Sequence, residues 1–215
     1  MSLSAIQKAA LHGLYAVTPD DPLLPRLSAL VREALEGGVK VVQYRNKVAP
    51  PPLFRAQAAE LLRICRAAGA LLIVNDNPEI AADIGADGVH VGREDGGVAR
   101  ARAIVGPDRI IGVSCYDALD IAELAVAEGA DYIAFGAMFS SSVKPDAVAA
   151  PLSLLTEAKT RFGVPVCAIG GIKTTNVQTL IDAGADMAAV ITDLFDAPDI
   201  AAQARAYQRM FKVPA

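Results

Sequence analysis

The sequence predicts an α/β fold in which eight short parallel strands, each followed by a helix, close into one barrel. Three observations lead there. Short apolar runs without polar alternation recur along the chain, which is how strands buried on both faces read. Segments with apolar residues at helical spacing separate them. A length of 215 residues with 53% hydrophobic side chains suits one large core, at the size of a single barrel domain covering residues 1–215.

Taken in order, Leu14 to Val17 is the first strand, closed by Thr18-Pro19-Asp20, and Leu23 to Leu35 is the first helix, stopped by Gly37-Gly38. Lys40 to Tyr44 is the second strand. Prolines 50 to 52 open the next helix, because proline needs no donor in the first turn, and Leu53 to Ala68 carries it to Gly69. Leu71 to Val74 ends in Asn75-Asp76 and is followed by a helix over Pro78 to Ile84. Gly88 to Val91 runs into Gly92-Arg93-Glu94-Asp95. Ile110 to Val113 leads to Ser114-Cys115 and a helix over Asp117 to Glu128. Tyr132 to Phe135 leads to a serine-rich loop and a helix over Leu152 to Phe162. Val164 to Ile169 leads to Gly170-Gly171 and a helix over Thr175 to Ala183. Met187 to Ile191 leads to Thr192-Asp193 and a last helix near Pro198 to Phe211.

Closure of these units gives a (β/α)8 TIM barrel, with a doubly wound open sheet as the alternative. The repeated phrases Ile-Gly-Ala-Asp-Gly-Val at 84–89, Glu-Gly-Ala-Asp-Tyr-Ile at 128–133 and Ala-Gly-Ala-Asp-Met at 183–187 each join a helix stop to a strand start. Glycine ends the helix in a left-handed turn and the chain re-enters the barrel from its lower end.

A formal charge of −4 argues against a nucleic-acid binder, which needs a basic field. Any anion must be held locally. Cys65, Cys115 and Cys167 form no paired motif and read as reduced thiols in or near the core. The N-terminal segment lacks signal-peptide character and no apolar stretch reaches membrane-spanning length, so a soluble cytoplasmic protein with no membrane partner is expected. Oligomeric state is left open, and a homo-oligomer is compatible with the pattern.

In a barrel, functional groups collect where strands end. Gln43, Arg45 and Lys47 alternate with Tyr44 and Asn46, so in an extended chain the first three share a side. Arg45 and Lys47 suit an anion, one as a fork and one as a point charge. Asp76 and Asp95 are candidates to share Mg2+, though Asp76 before Pro78 equally fits a helix cap. Gly170-Gly171 and Ile191-Thr192 stand where many barrels hold a phosphate, and Lys144 behind Ser140 to Ser142 extends the donor set. His90 lies within an apolar strand and reads as an interior histidine; His12 reads as a surface or barrel-base residue. Neither Ser114 nor Cys115 has an evident histidine partner, which disfavours acyl transfer.

The set Gln43 to Lys47, Val74-Asn75-Asp76, His90 to Asp95, Gly112-Val113-Ser114, Gly136 to Lys144 and Ala168 to Ile172 resembles, in order and spacing, the thiamine-phosphate synthase family. The resemblance covers nearly the whole chain. It implies a Mg2+-assisted transferase that joins hydroxymethylpyrimidine pyrophosphate to hydroxyethylthiazole phosphate, releasing pyrophosphate. It also implies roles for individual positions. Arg45, Lys47, Asn75 and Lys144 would contact pyrophosphate, Asp76 and Asp95 would hold the metal, and Gln43 and Ser114 would contact the pyrimidine. Gly171, Ile191 and Thr192 would hold the thiazole phosphate, and Ser141 would supply a substrate hydroxyl contact; Arg45, Lys47, Lys144 and Ser114 carry the reaction. Three stretches depart from the family pattern. Phe139 to Lys144 reads Phe-Ser-Ser-Ser-Val-Lys against Phe-Pro-Thr-x-Thr-Lys, Arg93 replaces Gln, and Thr192-Asp193 replaces Ser-Ala, with Asp193 bringing negative charge toward a phosphate site. A thiazole tautomerase on the same barrel and a weakly catalytic, ligand-binding paralogue are the competing readings.

Overall fold

The structure is a computed structural model that describes residues 4–92, 95–140 and 150–211. Its strands are β1 (Gly13–Val17), β2 (Val41–Tyr44), β3 (Leu71–Asn75), β4 (Gly88–Val91), β5 (Ile110–Tyr116), β6 (Tyr132–Phe135), β7 (Val166–Ile169) and β8 (Met187–Val190). All pairs are parallel, neighbours follow chain order, and β8 returns to β1, so the sheet is a closed barrel and the open-sheet alternative is excluded. Around it lie α2 (Leu24–Glu36), α3 (Pro51–Ala67), α4 (Pro78–Ile84), α5 (Gly97–Val105), α6 (Leu119–Ala127), α7 (Ser153–Arg161), α8 (Val177–Asp182) and α10 (Ile200–Met210).

Two further helices were not signalled by the sequence pattern, α1 (Ala5–Ala10) before β1 and the four-residue α9 (Thr192–Phe195) after β8. Both are too short to show helical periodicity. Strand β5 is also longer than expected, reaching Tyr116, because its register against β6 shifts between Ser114 and Tyr116.

Strand residues alternate between two hydrophobic layers, as the period of two requires. Tyr15, Val17, Val41, Ile73, Ile110, Tyr132, Cys167 and Met187 form an inner cluster that fills the barrel. Leu14, Ala16, Val42, Leu72, Ile111 and Ile133 face outward and pack with helix residues such as Leu27, Val31, Leu61 and Leu155. Each fully buried Leu or Ile of this kind contributes about 1.5–3 kcal/mol.

The lower end shows why Gly-Ala-Asp repeats. Gly85, Gly129 and Gly184 have φ of 72°, 92° and 101°, which glycine adopts at no steric cost. The aspartate two residues later then binds the start of the preceding odd-numbered strand twice. Asp87, Asp131 and Asp186 donate their backbone N–H to the carbonyls of Leu72, Ile111 and Val166, at 3.1, 2.7 and 2.8 Å. Their side chains accept the N–H of those same residues at 2.9, 2.9 and 2.8 Å. Arg102 pairs with Asp131 at 2.7 Å and Lys159 with Asp186 at 2.6 Å. These carboxylates are part of the frame.

Candidate active site

At the upper end a cavity of about 790 Å³ opens above the inner cluster. Its lining includes Gln43, Arg45, Lys47, Asn75, Asp76, Asp95, Ser114, Gly171, Ile191 and Thr192, so every candidate residue within the described part of the chain reaches one space. Ser141 and Lys144, together with Arg93 and Val143, lie outside the described residues.

The alternation at the end of β2 is built by two sets of partners. Gln43, Arg45 and Lys47 face the cavity. Tyr44 and Asn46 point the other way, into a buried polar cluster with Gln57 of α3. Tyr44 donates its O–H to Gln57 Oε1 at 2.7 Å, and Asn46 Nδ2 donates to the same oxygen at 3.0 Å and to the Asp21 carbonyl at 2.8 Å. Gln57 Nε2 completes the cluster on that carbonyl at 2.8 Å. Thr18 clamps the Arg45 backbone on both sides, donating to its carbonyl at 2.8 Å and accepting its N–H at 2.9 Å. Arg45 in turn pairs with Asp20 at 3.2 Å.

Asp76 is not a helix cap. Asn77 caps α4, its Oδ1 accepting the Ile80 N–H at 2.8 Å, and Asp76 sits at φ 59°, a strained region for a residue with a Cβ. That geometry aims its carboxylate into the cavity, where it pairs with Lys47 and stands within hydrogen-bonding reach of Asp95. Burial raises the Asp95 carboxyl above the usual carboxylate range; the Gly92 N–H it accepts at 2.7 Å opposes that, and the Asp76 charge adds to it. Two carboxylates sharing a site is a costly arrangement that a cation relieves. Among the described residues no group of three or more His, Cys, Asp or Glu gathers as for a metal held by protein alone. The pair does fit Mg2+, which takes one or two carboxylates and fills its other positions with water and phosphate oxygens.

Below the charged rim the floor is polar but neutral. Gln43 Nε2 donates to Tyr15 at 2.9 Å, Tyr15 and Tyr132 share a hydrogen bond of 2.8 Å, and His90 bonds Tyr132 through Nδ1 at 2.9 Å and Ser114 through Nε2 at 2.8 Å. The expectation that Ser114 lacks a histidine partner is therefore overturned. Register explains it: His90 pairs with Gly112, so Ser114, two residues further up β5, stands diagonally beside it. The pair still makes a poor nucleophile and base. Burial lowers the His90 pKa to about 4, with Asp76 pulling weakly the other way, so the imidazole has little affinity for a proton. His90 is buried, as its strand implied, while His12 sits exposed near the lower end with Nε2 on the Phe211 carbonyl at 3.1 Å. The three cysteines are free and buried.

On the far side of the cavity, Gly170 and Gly171 have φ of 102° and 62°, and a Cβ on Gly171 would lie 2.5 Å from the Ser140 carbonyl. Glycine is needed there so that the loop after β6 can lie against the end of β7, where Met138 and Phe139 donate to the Ile169 and Gly170 carbonyls at 2.9 and 3.0 Å. Asp193 does not confront a phosphate with free charge. Its Oδ2 accepts from Tyr207 O–H at 2.6 Å, Gln203 Nε2 at 2.6 Å and the Thr174 N–H at 3.4 Å, which ties α9 to α10. Lys173 also lines the cavity and has no ion pair among the described residues. It went unnoticed because one lysine after a Gly-Gly turn looks like any loop residue.

Residues 14–194 match the thiamine monophosphate synthase family. Among curated proteins the chain is 54% identical over 200 residues to a thiamine-phosphate synthase of Chromobacterium violaceum, covering 93% of this chain and 96% of that one. It is 50% identical over 205 residues to a thiamine-phosphate synthase of Thioalkalivibrio sulfidiphilus, covering 94% and 97%. Among solved structures it resembles a thiamine phosphate pyrophosphorylase from Pyrococcus furiosus with a TM-score of 0.84 at 34% identity, covering 94% and 96%. On sequence and on fold alike, the chain belongs to the thiamine monophosphate synthase family of transferases.

Proposed function

We propose that this cavity joins hydroxymethylpyrimidine pyrophosphate to hydroxyethylthiazole phosphate, releasing pyrophosphate and forming thiamine phosphate. The observation that carries the reading is the division of the cavity into a charged rim and a neutral floor. Arg45, Lys47, Asp76 and Asp95 lie at the ends of β2, β3 and β4, above Gln43, Tyr15, His90 and Ser114. A leaving diphosphate needs the first set and an uncharged heterocycle needs the second.

Asp76 and Asp95 would hold Mg2+, which when bound supplies positive charge to the diphosphate oxygens. Arg45 and Lys47 add the fork and the point charge that stabilise the leaving group as its bond to the pyrimidine methylene carbon breaks. Asn75, at the end of β3, contributes an uncharged donor on the same side. Gln43 and Ser114 orient the pyrimidine ring, so that the methylene cation formed on departure meets the thiazole nitrogen in line. That nitrogen carries a lone pair and no proton, so no general base is required. The weak basicity of His90 is consistent with such a reaction. Gly171, Lys173, Ile191 and Thr192, around the ends of β7 and β8, would receive the phosphate of the thiazole. Lys144 joins the pyrophosphate contacts in this reading and Ser141 supplies a substrate hydroxyl contact, both carried over from the family pattern.

The substrates are small molecules, and no helix among the described residues is long and apolar enough to cross a membrane. The test is direct: supply both substrates and Mg2+, and follow thiamine phosphate by its oxidation to a fluorescent thiochrome. Product formation that stops on chelation and returns with Mg2+ is expected. No product above background, or conversion of a thiazole tautomer alone, would overturn the reading.

A further inference from the structure

Five side chains from five strands form one unbroken row of hydrogen bonds across the cavity floor, in the order Gln43, Tyr15, Tyr132, His90, Ser114. The row has a direction. Gln43 Nε2 donates to the Tyr15 oxygen, and Tyr15, 1% exposed, has only Tyr132 left among the described residues to receive its own proton. Tyr132 is fully buried and has only His90 Nδ1 left as an acceptor. The Nδ1 that accepts the Tyr132 proton carries none of its own, so the ring proton sits on Nε2 and is donated to Ser114. At the ends of the row, both in residues that line the cavity, Gln43 offers its Oε1 acceptor beside the second N–H of Nε2, and Ser114 offers its O–H donor. Reversing every bond would exchange the two ends. It could not make both ends donors or both acceptors without orphaning a buried polar atom, at about 1–3 kcal/mol.

A separate observation shows that the row is built into the barrel. Gly112 pairs with Tyr132 across β5 and β6, and a Cβ there would lie 1.9 Å from the Tyr132 ring carbon Cζ. The phenol occupies the space that any other residue at 112 would fill.

We propose that Tyr15, Tyr132 and His90 are positioning residues that set specificity for a heterocycle with one amino donor and one ring-nitrogen acceptor, by holding Gln43 as acceptor and Ser114 as donor. The proposal rests on the reading of this cavity as the site of a pyrimidine diphosphate. An aminopyrimidine satisfies both ends of the row. Its oxo counterpart, which presents a carbonyl in place of the amino group, leaves the Gln43 oxygen facing another acceptor.

The experiment compares the aminopyrimidine diphosphate with its 4-oxo counterpart in the natural protein and in Tyr132→Phe, which removes one oxygen from the middle of the row. Tyr15→Phe is the second variant should the first fail to fold. The natural protein is expected to prefer the amino substrate by about 1,000-fold or more, and the variant to lose about 10- to 100-fold of that preference. The loss should appear mainly as a raised KM for the amino substrate, with kcat within about threefold, because the row acts on binding and not on the leaving group. The second readout is the 15N spectrum of His90, separable because the chain has two histidines. A single Nε2–H tautomer is expected in the natural protein and a mixture in Tyr132→Phe. A folded Tyr132→Phe or Tyr15→Phe that keeps the full preference overturns the proposal. If the natural protein makes no thiamine phosphate, the functional reading fails, and the His90 tautomer in natural and variant proteins then decides whether the row is polarised.

Discussion

The two ends of the barrel use the same residue type to opposite purposes. At the lower end, Asp87, Asp131 and Asp186 each accept a strand N–H, and two of them also pair with a cation, so the fold consumes their charge. At the upper end, Asp76 and Asp95 stand beside each other, one on a strained backbone, with Lys47 as the nearby cation. A carboxylate that stabilises the frame is matched by donors. A carboxylate that serves a ligand is left partly unmatched until the ligand arrives, and the protein bears that cost in the free state.

This contrast is most sharply tested by exchanging activity for stability at each end. Neutralising the upper pair, by Asp76→Asn or Asp95→Asn, should reduce turnover by about 100-fold or more while leaving the melting temperature unchanged or raised, since a repulsion between like charges is removed. Steady-state kinetics beside calorimetry checks it, and full activity in both variants would detach the metal from these residues. The reverse is expected below. Asp131→Ala should cost about 1–3 kcal/mol, through the unsatisfied Ile111 N–H and the unpaired Arg102, and lower the melting temperature by several degrees. Turnover per folded molecule should hold in an assay well below that temperature.

A further prediction concerns the neutral floor between the two ends. The His90 pKa is depressed in the folded state, so its contribution is fully present above the unfolded value of 6.5 and is lost as pH falls toward about 4. The loss is about 3 kcal/mol. Denaturant midpoints measured at pH 7 and pH 4.5 should separate less for His90→Gln than for the natural protein, the carboxylates being common to both. Lys173→Ala should have the smallest effect. A raised KM for the thiazole phosphate, by a few fold and shrinking with added salt, is the expected outcome, because an exposed lysine acts on an anion through a screened field.

Much of this could be read directly. The eight strands lie within a residue or two of their expected positions, apart from the extension of β5, because runs such as Leu71 to Val74 have no polar face and can only be interior to a sheet covered on both sides. The polar residues at strand ends were legible for the same reason, since Arg45 and Lys47 break an apolar run abruptly. What was not legible depended on partners distant in sequence. Gln57 lies mid-helix and reads as a surface residue, yet it is fully buried under Tyr44 and Asn46. The aspartate of the Gly-Ala-Asp repeat was visible as a repeat, but its purpose appears only when the neighbouring strand's N–H is beside it.

Local chemistry in the chain by itself determined the strand-and-helix alternation and the strand ends at which charge collects. Periodicity and strand-end composition are properties of contiguous residues, so no folding is needed to see them. The tertiary structure alone decided the rest. It joined Ser114 to His90, committed Asp193 to Tyr207 and Gln203, freed Asp76 from helix capping, closed β8 onto β1, and aligned five strands into one hydrogen-bonded row. Hydrogen bonds between groups 24 to 117 residues apart, as from His90 to Ser114 and from Tyr15 to Tyr132, are set by strand register and side-chain direction, which exist only once the barrel has closed.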